Sequence, residues 1–321
     1  MKAALFTFVA ALMLLSNADV GAQTYPSRTV KMVVPYPAGG GTDILARLLA
    51  QRFAERFGQA VVVENRTGAS GNIGTEFVVK SPADGYTLLF TNDTLVVAPS
   101  VSRNTPYDVL RSLAPIGLIA EGYIVIGVNS SVPAKSLGEL LALAKADPGK
   151  LAYASCGAGT AMHLAGELLK LSAAVEMTHV AYRGCAPAMQ DSANGQVPVF
   201  INALPVAAPL EKQGKVRILA ITSAKRARIL PNVPTVAESG FPGYEASSWQ
   251  GLFAPAGTPH EIVARLSAEL AAVVNSREFA ERLGGMLFEP RVVSPEELMT
   301  MLRVQLARWA QLAKTARIVV D

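Results

Sequence analysis

Two segments of the sequence place a glycine-rich turn and a threonine directly before a helical pattern. The first turn ends in Gly39, Gly40, Gly41 and Thr42, and the second ends in Gly157, Ala158, Gly159 and Thr160. Glycine lets a backbone turn tightly beside a ligand, and threonine is a favoured N-cap residue. A helix start exposes free amides and about half a positive charge, so it binds anions without a cationic side chain. We predict that both threonines cap their helices and that the two turns grip one carboxylate together.

The same turns lack the signatures of nucleotide sites. No lysine precedes either threonine, as a Walker A loop requires, and neither turn has the Gly-x-Gly-x-x-Gly spacing with a downstream acid. The histidines at 163, 179 and 260 show no metal-ligand spacing. No Gly-x-Ser-x-Gly elbow or carboxylate pair indicates catalysis. We therefore predict no cofactor, no metal ion and no enzymatic activity.

The two cysteines, Cys156 and Cys185, allow two interpretations. In an exported protein an even pair favours a disulfide, which closes a loop of about 30 residues and contributes about 3 kcal/mol. The alternative is an enzyme in which Cys156 is a nucleophile near His163, with its pKa lowered by the helix start. The disulfide is the preferred interpretation.

Four other side chains have both a ligand-binding and a structural interpretation. Asp43 either accepts a hydrogen bond from a ligand amino group or is a first-turn acid favoured by the helix dipole. His163 either contacts the ligand or is a capping or core residue. Arg183 either pairs with an anion or lies on the surface. Trp249 is more often a core residue, but here we favour slightly a place in the pocket wall.

The elements that must position these residues alternate between short apolar runs and helical periodicity. The predicted strands are residues 30–34, 61–63, 86–90, 123–128, 151–154, 177–181, 197–201, 216–221 and 249–254. The predicted helices are residues 44–53, 73–80, 137–145, 160–171, 187–193, 206–213, 261–275 and 295–314. This alternation indicates parallel sheets with helices on both faces.

Two such α/β units, joined by crossovers near residues 120–128 and 219–223, predict two lobes with a ligand cleft between them. Residues 23–122 are expected to begin the first lobe and residues 123–222 to form the second. Residues 223–321 are then expected to return to the first lobe. The predicted fold class is α/β, with each lobe a mainly parallel sheet flanked by helices.

Composition and the first residues favour an exported, globular chain. The 321 residues suffice for two lobes, and only 17% of them are charged. The net charge of +4 is spread along the chain, without the basic stripe of a nucleic-acid binder. Residues 1–22 have the pattern of a signal peptide cleaved near Ala22. No later run reaches the roughly 18 apolar residues of a membrane span, so we expect a soluble periplasmic protein.

Six stretches along the mature chain carry a specific combination of motifs. They are residues 35–43 (PYPAGGGTD), 63–72 (VENRTGASGN), 81–88 (SPADGYTL), 159–168 (GTAMHLAGEL), 179–184 (HVAYRG) and Trp249 with 254–259 (APAGTP). Together they resemble the Bug family, the substrate-binding proteins of tripartite tricarboxylate transporters. Ala181 stands where proline is common in this family, and Ala38 lies in a loop that is often richer in proline.

The resemblance implies a type II periplasmic-binding fold, with a ligand held between the lobes largely by backbone amides and waters. The predicted ligand-binding residues are Tyr36, Ala38, Gly39, Gly40, Gly41, Thr42, Asp43, Asn92, Ser155, Cys156, Gly157, Thr160, His163, Tyr182, Asn202 and Trp249. The predicted function is a monomeric receptor that delivers a small carboxylate to the membrane subunits of a transporter. The ligand is expected to be a di- or tricarboxylate, an aromatic acid or an amino acid. A sensor that presents its closed form to a signalling receptor stays open as an alternative.

Overall fold

The computed structural model describes residues 25–102 and 104–319 of the chain. The predicted signal peptide, residues 1–22, lies outside the described residues. Within the described part of the chain, no helix is both long and apolar enough to cross a membrane.

Eleven strands are present in the described residues. They are β1 (Val30–Val34), β2 (Val61–Asn65), β3 (Thr87–Asn92), β4 (Leu113–Gly122), β5 (Ile124–Asn129), β6 (Ala152–Ser155), β7 (Thr178–Ala181), β8 (Val199–Ala203), β9 (Val216–Ile221), β10 (Ser248–Pro255) and β11 (Glu289–Pro290). The nine strands predicted from apolar runs are all confirmed, with ends that shift by up to two residues. Sequence analysis did not predict β4 and β11.

The strands form two sheets, and we call each sheet with its helices a lobe. The first lobe has the strand order β11-β4-β10-β3-β1-β2, and the second has the order β7-β6-β8-β5-β9. The sheets are covered on both faces, which explains why their strands are continuous apolar runs. In β1, Met32 packs into one core and Val33 into another on the opposite face, and both are fully buried.

The prediction that each sheet is mainly parallel is confirmed, because four of the six strands of the first sheet and four of the five strands of the second run in one direction, although antiparallel strands make both sheets mixed. In the first lobe β10 lies between β3 and β4 and is antiparallel to both. In the second lobe β5 lies between β8 and β9 and is antiparallel to both. β5 and β10 each begin where the chain crosses between the lobes, whereas the strands beside them end at that edge of the sheet. Each of the two therefore runs in the direction opposite to its neighbours. The predicted parallel βαβ pairs do occur, between β1, β2 and β3 and between β6, β7 and β8.

Eleven α-helices connect and cover the strands in the described residues. They are α1 (Gly41–Phe57), α2 (Asn72–Val79), α3 (Thr94–Val101), α4 (Val109–Ser112), α5 (Leu137–Ala146), α6 (Ala161–Ala173), α7 (Cys185–Ala193), α8 (Leu204–Lys212), α9 (His260–Val274), α10 (Arg277–Gly285) and α11 (Pro295–Ala316). Sequence analysis did not predict α3, α4 and α10. The remaining eight helices are confirmed.

The C-terminal part of the chain supports both lobes. α11 begins with a capping box formed by Ser294 and Glu297, and it packs against α3 and β4 of the first lobe and α6 of the second. The hydroxyl of Tyr244 donates a buried hydrogen bond to the carbonyl of Ala165 in α6, at 2.7 Å. The helix that follows the second glycine-rich turn is therefore anchored from its far side.

Candidate ligand-binding site

The first glycine-rich turn joins β1 to α1. Gly40 is the N-cap residue, with an extended backbone (φ −74°, ψ 162°), and no side chain caps the helix. The prediction that Thr42 caps α1 is wrong, because the helix already begins at Gly41 and Thr42 lies inside its first turn. Among the described residues, the amides of Gly41, Thr42 and Asp43 have no acceptor within hydrogen-bond distance. The turn therefore presents free donors without a side-chain cap.

Asp43 holds this turn in place. One of its carboxylate oxygens accepts hydrogen bonds from the amide of Gly39 at 2.9 Å and from Nε of Arg47 at 3.0 Å. The other accepts a hydrogen bond from Nδ2 of Asn65 at 2.8 Å. Burial alone would raise the pKa of Asp43, but the hydrogen bonds from Arg47, Gly39 and Asn65 outweigh it and lower the pKa. Of its two interpretations, the structure supports that of a first-turn acid, with both oxygens occupied within the first lobe.

Tyr36, Thr42 and Asn92 form a second support beside the same turn. The hydroxyl of Tyr36 donates to Oδ1 of Asn92 at 2.7 Å, and Nδ2 of Asn92 donates to Oγ1 of Thr42 at 3.1 Å. Oδ1 of Asn92 also accepts the amide of Thr94. These predicted site residues do lie together, and their polar atoms tie the end of β3 to the start of α1. Ala38, Gly39 and Gly40 are exposed in the loop above them.

The second glycine-rich turn joins β6 to α6 and is capped by a side chain. Oγ1 of Thr160 accepts the amide of His163 at 3.3 Å and donates to the carbonyl of Gly157 at 2.8 Å. The prediction that Thr160 caps its helix is confirmed. Among the described residues, the amides of Ala161 and Met162 have no acceptor. The second helix start therefore also presents free donors.

A disulfide joins Cys156 in the second turn to Cys185 at the start of α7, with their Cα atoms 4.2 Å apart. The predicted disulfide is confirmed, and the chain has no free thiol. Oδ1 of Asn202 lies 3.4 Å from Sγ of Cys156, and Nδ2 of Asn202 donates to the carbonyl of Cys185 at 3.1 Å. The hydroxyl of Tyr182 donates to Asp191. Cys156 and Asn202 thus lie at the second turn, whereas the side chain of Tyr182 bonds to α7.

A stack of two histidines lies beneath the second turn. The rings of His163 and His179 are 3.9 Å apart and nearly parallel, at 11°. Nδ1 of His163 accepts the amide of Gly159 at 3.1 Å, and Nε2 of His179 lies 2.7 Å from Oγ of Ser155. Burial lowers the pKa of His163, and burial with the neighbouring His163 lowers the pKa of His179 to about 4. Both rings are neutral at pH 7, and His163 is a core residue that shapes the turn.

Ser155 and His179 are in contact, but they do not form a nucleophile and base that a substrate could reach. Ser155 is fully buried, and its Oγ also accepts the amide of Gly157. Sequence analysis did not select His179. The signal that locates His179 is the parallel register of β6 and β7. This register pairs Tyr153 with His179 and Ser155 with Ala181.

Asp93 is a buried carboxyl at the end of β3 that sequence analysis also missed. Oδ2 of Asp93 has no hydrogen-bond partner, and its side chain is 5% exposed. Burial raises the pKa of Asp93 to about 7. The signal in the sequence is its position directly after Asn92, at the carboxyl end of a strand.

A third loop approaches the second turn from the first lobe. Ala69 and Ser70 have left-handed backbone conformations, with φ of 46° and 55°, between the positive-φ residues Gly68 and Gly71. Such conformations are uncommon for residues other than glycine and concentrate at functional sites. This loop was included in the family resemblance but not in the predicted site.

Each glycine-rich turn lines a cavity together with residues of the other lobe. Gly41 lines a cavity of about 510 Å³ with Pro205 and other residues of α8. Gly159 lines a cavity of about 160 Å³ with Ala69 and Asn72. Both turns therefore lie at the boundary between the lobes, where the carboxyl ends of the parallel strands are located.

Trp249 and Arg183, for which a ligand-binding interpretation was considered from the sequence, lie in the core and on the surface, respectively. Trp249 is buried in the core, where its Nε1 donates to Gln305 of α11 at 2.9 Å. It lies on the opposite face of the sheet from Gln250, whose β-ladder partner is Asn92, so it is not part of the pocket wall. Arg183 is exposed after β7. Within residues 25–102 and 104–319, no group of three His, Cys, Asp or Glu side chains is suited to a metal ion.

Two α/β lobes, connected at two crossovers and each with free helix-start amides at the boundary between them, define a two-lobe solute-binding protein. The receptor family of the tripartite tricarboxylate transporters (TctC) matches residues 45–318 of the chain. The protein BugT of Bordetella pertussis is 37% identical over 295 residues, which cover 91% of this chain and 90% of BugT. The chain belongs to the tripartite tricarboxylate transporter family receptors, and the resemblance to the Bug family is confirmed.

Solved structures agree with this family assignment. The R. palustris protein Rpa4515 with adipate is 40% identical, with a TM-score of 0.83 over 92% of this chain and 99% of that chain. The periplasmic binding protein BugD is 36% identical, with a TM-score of 0.80 over 92% and 100%. MatC from Rhodopseudomonas palustris with bound malate is 30% identical, with a TM-score of 0.78 over 90% and 99%. The family consists of solute-binding receptors, which favours transport over the sensor alternative.

Proposed function

We propose that this protein is a periplasmic receptor that binds a small carboxylate between its lobes and delivers it to the membrane subunits of a tripartite transporter. The family assignment supports the receptor role. Two similar proteins were solved with carboxylates, adipate in one and malate in the other. The lobes are taken as residues 23–122 with 223–321, and residues 123–222.

The observation that carries this proposal is the pair of helix starts with free amides. In the first lobe the donors are Gly41 and Thr42, and in the second they are Ala161 and Met162. A hydrogen bond to a charged group contributes about 1.5–3 kcal/mol, and micromolar affinity needs about 8 kcal/mol. Four such donors supply about 6–12 kcal/mol before the cost of association is subtracted, and the helix dipoles favour the negative charge.

The disulfide supports both the compartment and the absence of catalysis. Disulfides persist in the oxidising periplasm, which is where the predicted signal peptide, residues 1–22, would send the chain. Because Cys156 is bonded to Cys185, it is not available as a nucleophile. The protein is expected to act as a monomer that binds its ligand without turnover.

Isothermal titration calorimetry of the mature protein with carboxylates and their amides tests this function. We expect at least one carboxylate to bind with a Kd of about 1 µM or below, and its neutral amide not to bind, because the amide lacks the charge that the helix starts favour. Small-angle scattering should show compaction with the same carboxylate. Equal affinity for the acid and its amide, or no binding across di-, tri- and aromatic carboxylates, would contradict the proposal.

A further inference from the structure

Three consecutive residues between α10 and β11 contact both lobes. The side chain of Leu287 packs against the core of the second lobe, which is formed by residues of β5, β8, α8 and β9. The next side chain, Phe288, is buried in a core of the first lobe. Glu289 begins β11 at the edge of the first sheet. We call residues 287–289 the bridging segment, because it links the lobes separately from the two crossovers.

The carboxylate of Glu289 holds a segment that packs on the second lobe. Its Oε1 accepts the backbone amide of Arg228 at 2.8 Å, and its Oε2 accepts Nε of Arg228 at 3.1 Å. Arg228 follows the second crossover, but Ala227 is buried in the second-lobe core and Ile229 packs against it. The side chain of Glu289 is 14% exposed and that of Arg228 is 80% exposed. A backbone amide and a guanidinium group thus hold one carboxylate across the lobe boundary.

A neighbouring ion pair of the same type stays within the first lobe. Glu121 lies opposite Glu289 in the ladder between β4 and β11. Its Oε1 accepts Nη1 of Arg291 at 2.8 Å, and the amide of Arg291 donates to the carbonyl of Ile119 at 3.2 Å. The pair of Glu289 therefore crosses the lobe boundary, whereas the pair of Glu121 does not. The second pair is a matched comparison for the first.

The backbone of the bridging segment is strained at Leu287. Its φ of 62° is left-handed, which is uncommon for a bulky residue, and such a conformation persists where surrounding contacts hold it. Here it directs Leu287 and Phe288 into the cores of different lobes. A Cβ placed on Gly284 or Gly285, directly upstream, would meet no atom within 4 Å. The chain therefore has room to turn just before the bridging segment.

Phe288 connects the bridging segment to the first glycine-rich turn. A Cβ on Gly41 would lie 3.8 Å from Cζ of Phe288. A Cβ on Gly122, at the end of β4, would lie 3.0 Å from Cε1 of the same ring. The ring is thus close to both the first helix start and the first crossover. A displacement of the bridging segment would therefore be felt at both places.

We propose that the bridging segment is a latch that holds the lobes in the arrangement of this structure, through Leu287 and the bonds between Glu289 and Arg228. Opening of the cleft moves the second lobe away from β11 and breaks these contacts, whereas the two crossovers stay intact and bend. Contacts that exist in one arrangement shift the equilibrium toward it. Glu289 is then a positioning residue, which changes ligand release without contact to the ligand. This consequence for release rests on the proposed function, but the lobe equilibrium does not.

The first test measures the distance between the lobes in the ligand-free protein. Spin labels on ketone-bearing side chains at the exposed positions Gln51 of α1 and Lys145 of α5 leave the disulfide intact, and double electron–electron resonance gives their distance distribution. Glu289→Ala removes both bonds and should raise the ratio of separated to latched molecules at least about tenfold. Arg228→Gln keeps the backbone amide and should raise it about threefold. Arg291→Gln is the control and should change it less than about 1.5-fold.

The second test measures ligand release by stopped flow. Its probe is the acid that binds most tightly in the calorimetric panel of di-, tri- and aromatic carboxylates. Because the bound acid leaves through the open arrangement, release should be at least about tenfold faster in Glu289→Ala and about threefold faster in Arg228→Gln. Arg291→Gln should release it at the wild-type rate.

The outcomes separate the latch from the proposed function. Unchanged lobe distances and release rates in a folded Glu289→Ala protein would overturn the latch and leave the proposed function intact. Equal effects of Arg228→Gln and Arg291→Gln would also overturn it, since a general loss of stability would then explain both. If the wild-type protein binds no carboxylate, the proposed function fails, and the lobe distances of the ligand-free variants still test the latch.

Discussion

The two glycine-rich turns have similar sequences and both leave amides free, yet they are held in place by different means. The first has no side-chain cap and depends on the hydrogen bonds of Asp43. The second is capped by Thr160 and tied by the disulfide between Cys156 and Cys185. A similar pattern of glycine and threonine therefore specifies the free amides but not the structure that supports them.

This difference makes the supports of the two turns respond to different perturbations. The first is ionic, since Asp43 is buried against the half-exposed Arg47. The second combines a covalent bond with the buried stack of His163 and His179. We therefore expect reduction to affect mainly the second turn, and each turn to respond to pH in its own range.

Removal of the disulfide should have the largest effect on stability. In a Cys156→Ala/Cys185→Ala variant the free energy of unfolding should fall by about 3 kcal/mol, because the unfolded chain regains the freedom of a loop of about 30 residues. Urea denaturation measures this change. A reducing agent should lower the stability of the wild-type protein and leave that of the variant unchanged. A loss below about 1 kcal/mol would mean that the cap and the histidine stack suffice.

Substitution of Asp43 should have the next largest effect. Asp43→Asn removes the charge that Gly39 and Arg47 contact, and it should lower the free energy of unfolding by about 2 kcal/mol. Asp147→Asn, which removes an exposed partner of Lys150, is the control and should cost less than about 0.5 kcal/mol. Because the folded pKa of Asp43 is lowered, its contribution is present above pH about 4 and is lost as the pH falls through the folded pKa. Equal costs for the two variants would show that the network does not stabilise the turn.

The histidine stack should give the smallest effect, visible as a pH dependence. The pKa of His179 is about 4 in the folded protein, against an ordinary value of 6.5. The folded state therefore binds fewer protons than the unfolded state between these values, and the free energy of unfolding falls as the pH falls through this window. After a discount for its partial exposure, His179 should contribute about 1 kcal/mol of this fall. His179→Gln should flatten the dependence, as measured by urea denaturation from pH 7 to 4.

Asp93 provides a control for His179, because its effect on the pH dependence of the free energy of unfolding has the opposite sign. Its folded pKa of about 7 lies above its ordinary value of 3.8, so it destabilises the folded state as the pH rises between these values. Asp93→Asn should therefore make the rise of stability with pH steeper, whereas His179→Gln makes it shallower. A shift in the same direction for both variants would contradict the assignment of these groups.

Local patterns predicted much of the fold and one of the two caps. The apolar runs located nine strands, because buried strands need both faces covered. Thr42 and Thr160 were both predicted as caps because a threonine follows the glycine of each turn, and only Thr160 caps its helix. In the first turn three successive glycines allowed the helix to begin before Thr42, and nothing in the local sequence distinguishes those three positions.

The features that sequence analysis missed depend on contacts between distant segments. The stack of His163 and His179 follows from the register of β6 against β7. The burial of Trp249 follows from the packing of α11 on the first sheet. The antiparallel β5 and β10 follow from the places where the chain crosses between lobes, and no local pattern encodes a strand's direction.

The most direct test of the carboxylate site compares Gly41→Pro with Gly41→Ala by calorimetry. Proline removes the amide donor, is favoured at the first helical position, and follows Gly40, whose backbone is already extended as a residue before proline requires. Alanine adds a Cβ but keeps the amide, and that Cβ would lie 3.8 Å from Phe288, an ordinary contact. We predict that Gly41→Pro weakens carboxylate binding about tenfold and Gly41→Ala less than about twofold. Equal affinities in the two variants would contradict the role of the helix-start amides.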